Sequence, residues 1–570
     1  MASRNALWKR SLMAVTERID RRIGWSRLPK PAALLTLMGL RMRLRRDNLF
    51  DPDGLVLPWT PSPLPDGQRP LTRTADGTGN DLTHPTMGSV GTLFGRNVPL
   101  TDTAPQDALT PNPRRISLEL LTRERFQPAT TLNVLAAAWL QFEVHDWFSH
   151  GANERDDPWL VDVDPGDPWP QHPMQIPRTR RSAPTTDGKP PTYANTETHW
   201  WDASQVYGST LEFQHQLRTR EGGKLLLSPT GNVPFDPSTM RELAGVNGNW
   251  WLGLAMFHTV FMREHNAICD HLGRAHPDWD DDALFEHARL VNAALIAKIH
   301  TVEWTTALLG TPTLYTAMRS NWWGLLGERF GRRFGRVSKS EEVSGILGSE
   351  TWLHGAPYAM TEEFVAVYRM HPLIPDDFSL RSATDNRQIA HHTFPEIAGT
   401  HTHEVLDAVS MADLFYSLAT ENPGAIVLHN FPKHLQQFVK PDGSVLDLAA
   451  TDVLRSRERG VPRYNEFRRK FHMEPARRFE DFSQDPVVVA DLRRIYDDPE
   501  DVDLMIGLYA EAPPKGFAFS DTAFRVFVLM ASRRLKSDRF YTYDFRPEVY
   551  STEGLKWIAD NTMGTVLARA

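Results

Sequence analysis

A single cysteine, Cys269, in 570 residues excludes any disulfide within the chain and leaves only one candidate for a thiolate ligand. Following Arg263, Glu264, His265 and Asn266, it reads as a small buried hydrophobe on a helix. A reducing compartment is therefore expected. No apolar run is long enough to span a bilayer. The stretch from Pro31 to Leu40 has about half the roughly 20 residues a crossing helix needs, so neither a transmembrane helix nor a signal peptide is expected and the location is read as cytoplasmic. Low-complexity linkers, internal repeats and a convincing β-rich block are also missing.

Charge is present but unevenly placed. Residues 1–50 carry 12 Lys or Arg and three acidic side chains, net +9, which leaves −17 on the rest of a chain of net −8. An acidic body without a recognisable module disfavours nucleic-acid binding. The basic opening has two readings: an amphipathic element lying on a membrane surface, with Arg41, Arg43, Arg45 and Arg46 after the apolar stretch, or a helix docked on the body.

Long helical patterns dominate, at 250–271, 282–309 and 404–420, and predict a mainly α protein built as one large helical domain. The expected division is a basic N-terminal segment, 1–50, and a catalytic body, 51–570. Turn-rich stretches at 51–114 and 151–196 read as ordered surface loops wrapping it.

Three local patterns carry chemistry. Tyr368 and His371 are three apart; if His371 ligates an iron, a helix sets the Tyr368 phenol beside the cofactor plane, whereas the alternative is a pair in a packed core. Pro372 disfavours helical geometry at His371, so the pair is expected in the last turn of its helix. Upstream, Gln141 and His145 are four apart on an apolar helix. They share a face where His145 moves a proton and Gln141 donates a hydrogen bond to a metal-bound oxygen; a satisfied buried histidine is the alternative. Thr198, Asp202 and Ser204, with the Trp200 carbonyl and Asp146, offer hard oxygen ligands that suit calcium, although the loop lacks the glycine and terminal glutamate of an EF-hand and a polar turn is the plain alternative.

The order of these patterns, together with Arg263-Glu264-His265-Asn266, resembles the signature of the peroxidase-cyclooxygenase haem superfamily. Tyr-x-x-His narrows the resemblance to its fatty-acid oxygenases, and the chain from about residue 30 to about 560 looks most like the α-dioxygenases, a likeness supported by Arg457 to Arg469 and Ala531 to Leu535. The lone cysteine separates it from animal cyclooxygenases, which rely on disulfides and an extra module. The resemblance implies haem b held by His371, with His145 and Gln141 on the distal side, and calcium at the Asp146 loop. It implies long-chain fatty acids and O2 as substrates. It also implies a carboxylate clamp of His300, Thr305 and a late arginine, taken as Arg534 with Arg533 and Arg539 as neighbours in doubt. Peroxide reacting once at the haem would draw an electron and a proton from Tyr368. The tyrosyl radical would take a hydrogen from C2 of the acid, O2 would add, and a 2-hydroperoxy acid would form. The rival is a haem peroxidase oxidising small substrates with H2O2. Against it, Asn247 to Trp251 stands where productive peroxidases carry an arginine and haem-linking acidic or methionine residues.

Overall fold

A computed structural model describes residues 2–55, 70–100, 108–182, 191–440 and 443–570. Helices build the body. The central one, Leu252–Ala275 (α4 of the helices labelled here), is buried on all sides from Leu252 to Met262, as an all-apolar helix must be. Leu135–Trp147 (α3) crosses it closely, because Ala136, Ala137 and Ala138 carry almost no side chain; a Cβ added to Gly253 would lie 2.7 Å from the Ala138 Cβ. Asp281–Ile299 (α5) packs along α4, its N-terminus capped by the Asp280 carboxylate, which accepts from the Ala283 N–H, with Asp281 and Asp282 favouring the positive end of the helix dipole. Pro312–Trp323 (α6), the short Glu362–Val367 (α7), Leu448–Glu458 (α8) and Asp521–Ser537 (α9) enclose the other side.

The basic opening forms two helices, Ala2–Ile23 (α1) and Lys30–Asp47 (α2). Both helices meet the body. Trp25 between them is buried and donates from its indole to Asp521, 2.8 Å away, while Arg45 pairs with Glu341 and donates to the Ser532 hydroxyl at 3.0 Å. Segment 1–50 therefore shares its packing with the body.

Three expectations need correction. The span 282–309 is not one helix: α5 stops at Ile299, a π-helical turn covers His300–Trp304, and Thr305–Leu308 follows. The span 404–420 divides into Thr402–Ala408 and Met411–Thr420, because the Ser410 hydroxyl caps a new start by accepting from the Asp413 N–H. Among the described residues four two-stranded antiparallel ladders also occur. The longest, Glu154–Val161 (β1) with Met174–Arg178 (β2), lies in a stretch read as loop; Trp159, Val161, Met174 and Ile176 alternate inward onto Ala450 and Leu454. Parts of the two turn-rich stretches, 56–69, 101–107 and 183–190, lie outside the described residues.

Candidate active site

His371 opens a short 3-10 turn, His371–Leu373. Contrary to the expected last turn, α7 ends at Val367, and Tyr368 is its C-cap with φ −85° and ψ 6°. Pro372 has no N–H to give the Tyr368 carbonyl and its ring crowds that group, so an α-helix cannot run on through this stretch. The pair thus straddles a helix end, and the rest of the fold sets its geometry. Fully buried Arg123 donates to the carbonyls of Pro372 at 2.8 Å and Ile374 at 3.0 Å, pinning the turn. The Nδ1 atom of His371 lies 2.7 Å from Oδ2 of Asp452 on α8, close but poorly aligned for a hydrogen bond. Burial works against the Asp452 carboxylate, yet Arg369 and His371 together hold its pKa below the ordinary value. A carboxylate behind Nδ1 leaves Nε2 for a metal and makes the ring a stronger donor. Asp452→Asn is expected to loosen haem retention about tenfold or more while leaving the melting temperature nearly unchanged. Titration of apoprotein with haemin measures it, and equal affinity would remove Asp452 from this role.

Tyr368 sits in an aromatic frame, its ring centroid 4.6 Å from Phe364, 4.7 Å from Phe527 and 5.1 Å from Trp147. Burial raises the phenol pKa well above its ordinary value, so the hydroxyl keeps its proton. Among the described residues that hydroxyl has no hydrogen-bond partner. It faces a cavity of about 370 Å³ lined chiefly by apolar side chains, including Leu34, Met38, Leu314, Met318, Phe524 and Phe527. That volume and lining suit a flexible apolar ligand.

The inner end of the cavity is polar. His300 and Thr305, five apart, both line it. On an α-helix they would point about 140° apart. The i→i+5 hydrogen bonding of the π turn brings both to one face, and the Thr305 hydroxyl donates to the His300 carbonyl at 2.7 Å. Trp139 donates its indole N–H to Nδ1 of His300 at 3.1 Å, so Nε2 carries the ring proton. Burial first, and then the charge of Arg534, lower the His300 pKa to about 3, and the ring stays neutral. The Arg534 guanidinium carbon lies 3.9 Å from the Trp147 ring and 4.1 Å from that of Trp201, and Trp147 also touches Tyr368 and His300. The two indoles stand at 89° to each other, so the cation sits in the corner they form, in contact with both rings and not neutralised by either.

The three late arginines differ in their partners. The Arg533 Nη2 donates to the carbonyls of Ala356 and Pro357, and Arg539 bonds Asp544 and the Pro70 carbonyl. Arg534 alone of the three has neither Nε nor Nη2 bonded. A buried guanidinium with two free donors, beside a neutral imidazole N–H, is built for an anion. The sequence reading missed Asp452, Trp139, Trp147 and Trp201, whose roles depend on residues remote in the chain.

On the opposite side, His145 is buried, and burial lowers its pKa to about 4, with the Val246 backbone acting the other way. Its Nδ1 has no partner. A neutral imidazole with a free nitrogen accepts a proton. The Gln141 amide is held at both ends: Nε2 donates to the Asn249 carbonyl at 3.1 Å, and Oε1 accepts from the Trp251 indole at 2.8 Å. One amide hydrogen remains for a ligand. The stretch Asn247 to Trp251 thus meets the distal helix but offers it no guanidinium.

Directly after His145, Asp146 Oδ1 accepts from the Ser204 N–H at 2.6 Å, and its Oδ2 has no partner. Asp202 accepts from the Thr198 hydroxyl at 3.0 Å and has Arg289 3.3 Å away. Burial raises both carboxyl pKa values, and at Asp146 the Asp202 charge adds to the rise. Asp146, Thr198, Asp202 and Ser204 are thus gathered around two under-compensated carboxylates, which fits a cation between them. Only two carboxylates meet there; among the described residues no group of three His, Cys, Asp or Glu side chains converges as a metal site.

The profile of the animal haem peroxidase family matches residues 72–570. The chain is 37% identical over 556 residues to an α-dioxygenase of Oryza sativa subsp. japonica, covering 95% of this chain and 89% of that protein. It belongs to the animal haem peroxidase family, among the α-dioxygenases. α-Dioxygenase 1 of Arabidopsis thaliana is 35% identical over 577 residues, covering 98% of this chain and 89% of its own. The crystal structure of Oryza sativa fatty acid α-dioxygenase agrees with a TM-score of 0.92 at 35% identity, over 99% of this chain and 94% of that one. A variant of the rice protein has been solved with palmitic acid. Peroxidase A of Dictyostelium discoideum, at 21% identity and a TM-score of 0.70, shares the fold. Membership in this family implies haem, and His371, with the Asp452 carboxylate behind its Nδ1, fits a ligand to it.

Proposed function

We propose that this protein is a haem-dependent fatty acid α-dioxygenase that inserts O2 at C2 of long-chain fatty acids. The observation that carries the reading is that Tyr368, His300 and Thr305 line one apolar cavity, with the Arg534 guanidinium just behind them against Trp147, which touches both Tyr368 and His300. His371 would hold haem, which would supply one-electron oxidation to Tyr368. His145, neutral and with a free nitrogen, would take a proton from peroxide, and the free amide hydrogen of Gln141 would orient the peroxide. The carboxylate lies against Arg534 and the Nε2–H of His300, and the Thr305 hydroxyl turns from the His300 carbonyl to donate to it, which sets C2 before the phenol oxygen. Tyr368, having lost a hydrogen atom, takes one from C2. O2 adds at C2, and the peroxyl recovers the hydrogen from Tyr368. The 2-hydroperoxy acid then loses CO2 and water, its O–O bond breaking, to give an aldehyde one carbon shorter.

The decisive experiment is O2 uptake with palmitate by the haem-loaded protein, set beside guaiacol oxidation with peroxide. Uptake with product oxygenated at C2 is expected; guaiacol oxidation without it would favour the peroxidase alternative. Affinity for palmitate is expected to be flat from pH 6 to 8. His300, held near 3, stays neutral across that window, so its N–H donation does not titrate. Loss of affinity centred near the ordinary histidine value would contradict the assignment.

Calcium is proposed at Asp146, Asp202, Ser204, Thr198 and the Trp200 carbonyl. It would tie α3, and so His145, to the 198–204 loop. A chelator is expected to lower the melting temperature by several degrees, and Asp202→Ala to lower it and abolish the chelator's effect. An unchanged melting curve in chelator would remove the ion.

Peripheral membrane contact is proposed around the cavity opening. Leu35 and Leu325 line the cavity and are more than half exposed, and Leu326 and Tyr315 are exposed nearby in the chain. No described helix is long and apolar enough to cross a membrane. Lys30, next to the cavity-lining Pro31, adds positive charge that anionic lipid attracts.

A further inference from the structure

A charged cluster that the reaction does not use stands where the cavity opens. Arg41, Asn321, Glu341 and Glu342 line the cavity, and the N–H of Leu325, itself 59% exposed at the rim, donates to the Glu342 carbonyl. Arg41 donates from Nη1 to Asn321 Oδ1 at 3.0 Å and from Nη2 to Glu342 Oε1 at 3.2 Å, with Glu341 Oε1 also 3.2 Å away. Its Nε is buried without a partner. Glu341 is shared with Arg45 and, at 3.8 Å, with Lys536. Three cations therefore face two carboxylates. The Glu342 side chain is 26% exposed and that of Arg41 14%, so Glu342 is the partner free to swing into water.

With the carboxylate held at the closed end, the acid must pass the opening head first and leave its tail trailing toward the surface. A bare carboxylate crossing into an apolar channel loses its hydration with nothing to replace it, at a cost of several kcal/mol in the apolar interior. A guanidinium at the threshold with a free donor and an exchangeable partner removes most of that barrier in both directions.

We propose that Arg41 is a transient carboxylate station at the cavity mouth, where the incoming fatty acid displaces Glu342 before its head passes inward to Arg534 and His300. The inference rests on the proposed fatty acid reading, which places the carboxylate inside. A station met only in passing alters rates without altering the final complex.

The test follows palmitate binding by stopped-flow tryptophan fluorescence in the haem-loaded Tyr368→Phe protein, where no turnover intervenes. Arg41→Gln is expected to slow association about tenfold and dissociation by a similar factor, with Kd within about twofold of the parent. Arg41→Lys should keep most of the association rate, and Glu342→Gln should raise it. Hexadecanol, which has no carboxylate, should bind at the same rate to all. An unchanged association rate in Arg41→Gln, or a raised Kd through faster dissociation, overturns the station. If Arg41→Gln does not fold, an association rate in Glu342→Gln no faster than the parent overturns it equally. Failure of the parent to bind palmitate would overturn the fatty acid reading together with the station, whereas normal binding with rates indifferent to residue 41 would overturn the station alone.

Discussion

Tyr368→Phe is expected to retain its fold and haem and to consume no O2 with palmitate. Phenylalanine fills the same space between Trp147, Phe364 and Phe527. The hydroxyl faces the cavity without a partner among the described residues, so its removal strands no buried donor or acceptor. Stability should therefore change by no more than about 0.5 kcal/mol. Chemistry should stop, because a benzene ring has no O–H hydrogen to give up and recover, and the burial that keeps the phenol protonated has nothing to protect. An O2 electrode and a palmitate-binding titration together check this. Loss of uptake with intact binding is the expected pair, and substantial uptake by the variant would rule out Tyr368 as the hydrogen carrier.

Arg534→Gln should raise the KM for palmitate steeply while leaving the single reaction with peroxide intact. Truncating one member of a buried, hydrogen-bonded charge pair costs about 2 to 5 kcal/mol, which is about 30-fold to several thousand-fold in affinity. The upper part of that range applies where the cation is sealed from water, as Arg534 is between Trp147 and Trp201. The substitution also removes the positive charge that offsets burial at Glu143 and Asp146, so a modest fall in melting temperature should accompany it. Arg534→Lys keeps the charge but loses the two-pronged grip, and should fall between. Oxygenation should spread beyond C2 in the glutamine variant, since an unanchored chain slides past Tyr368. Wild-type KM and unaltered regiochemistry in Arg534→Gln would place the carboxylate elsewhere.

The parts of the site legible in the sequence were those in which chemistry and spacing fall within a few residues. Gln141 and His145 lie on one helix as their spacing required, and Asp146 meets Ser204 as the loop pattern suggested. Where geometry departs from regular helix, spacing misled. His300 and Thr305 look badly placed on an α-helix, and only the π turn makes them neighbours. The Tyr368 and His371 pair does not share a helical turn: α7 ends at Val367, and His371 opens a separate 3-10 turn. The three late arginines were indistinguishable in sequence. Their difference lies in which carbonyls and carboxylates the rest of the chain brings to each guanidinium.

By itself the sequence determined the mainly helical class and the lack of disulfides within the chain, and it singled out His371 and Tyr368 as candidates for haem ligand and hydrogen carrier, since each depends on residue type and short-range spacing. Tertiary structure alone decided that Asp452 stands behind His371, that Trp139 selects the His300 tautomer, that two indoles hold Arg534 unpaired, and that α2 completes the wall of the cavity ending at Tyr368. Those contacts join segments tens to hundreds of residues apart. They exist because burying one large apolar core brings the segments together, and periodicity along the chain carries no record of which distant polar group will arrive at which buried one.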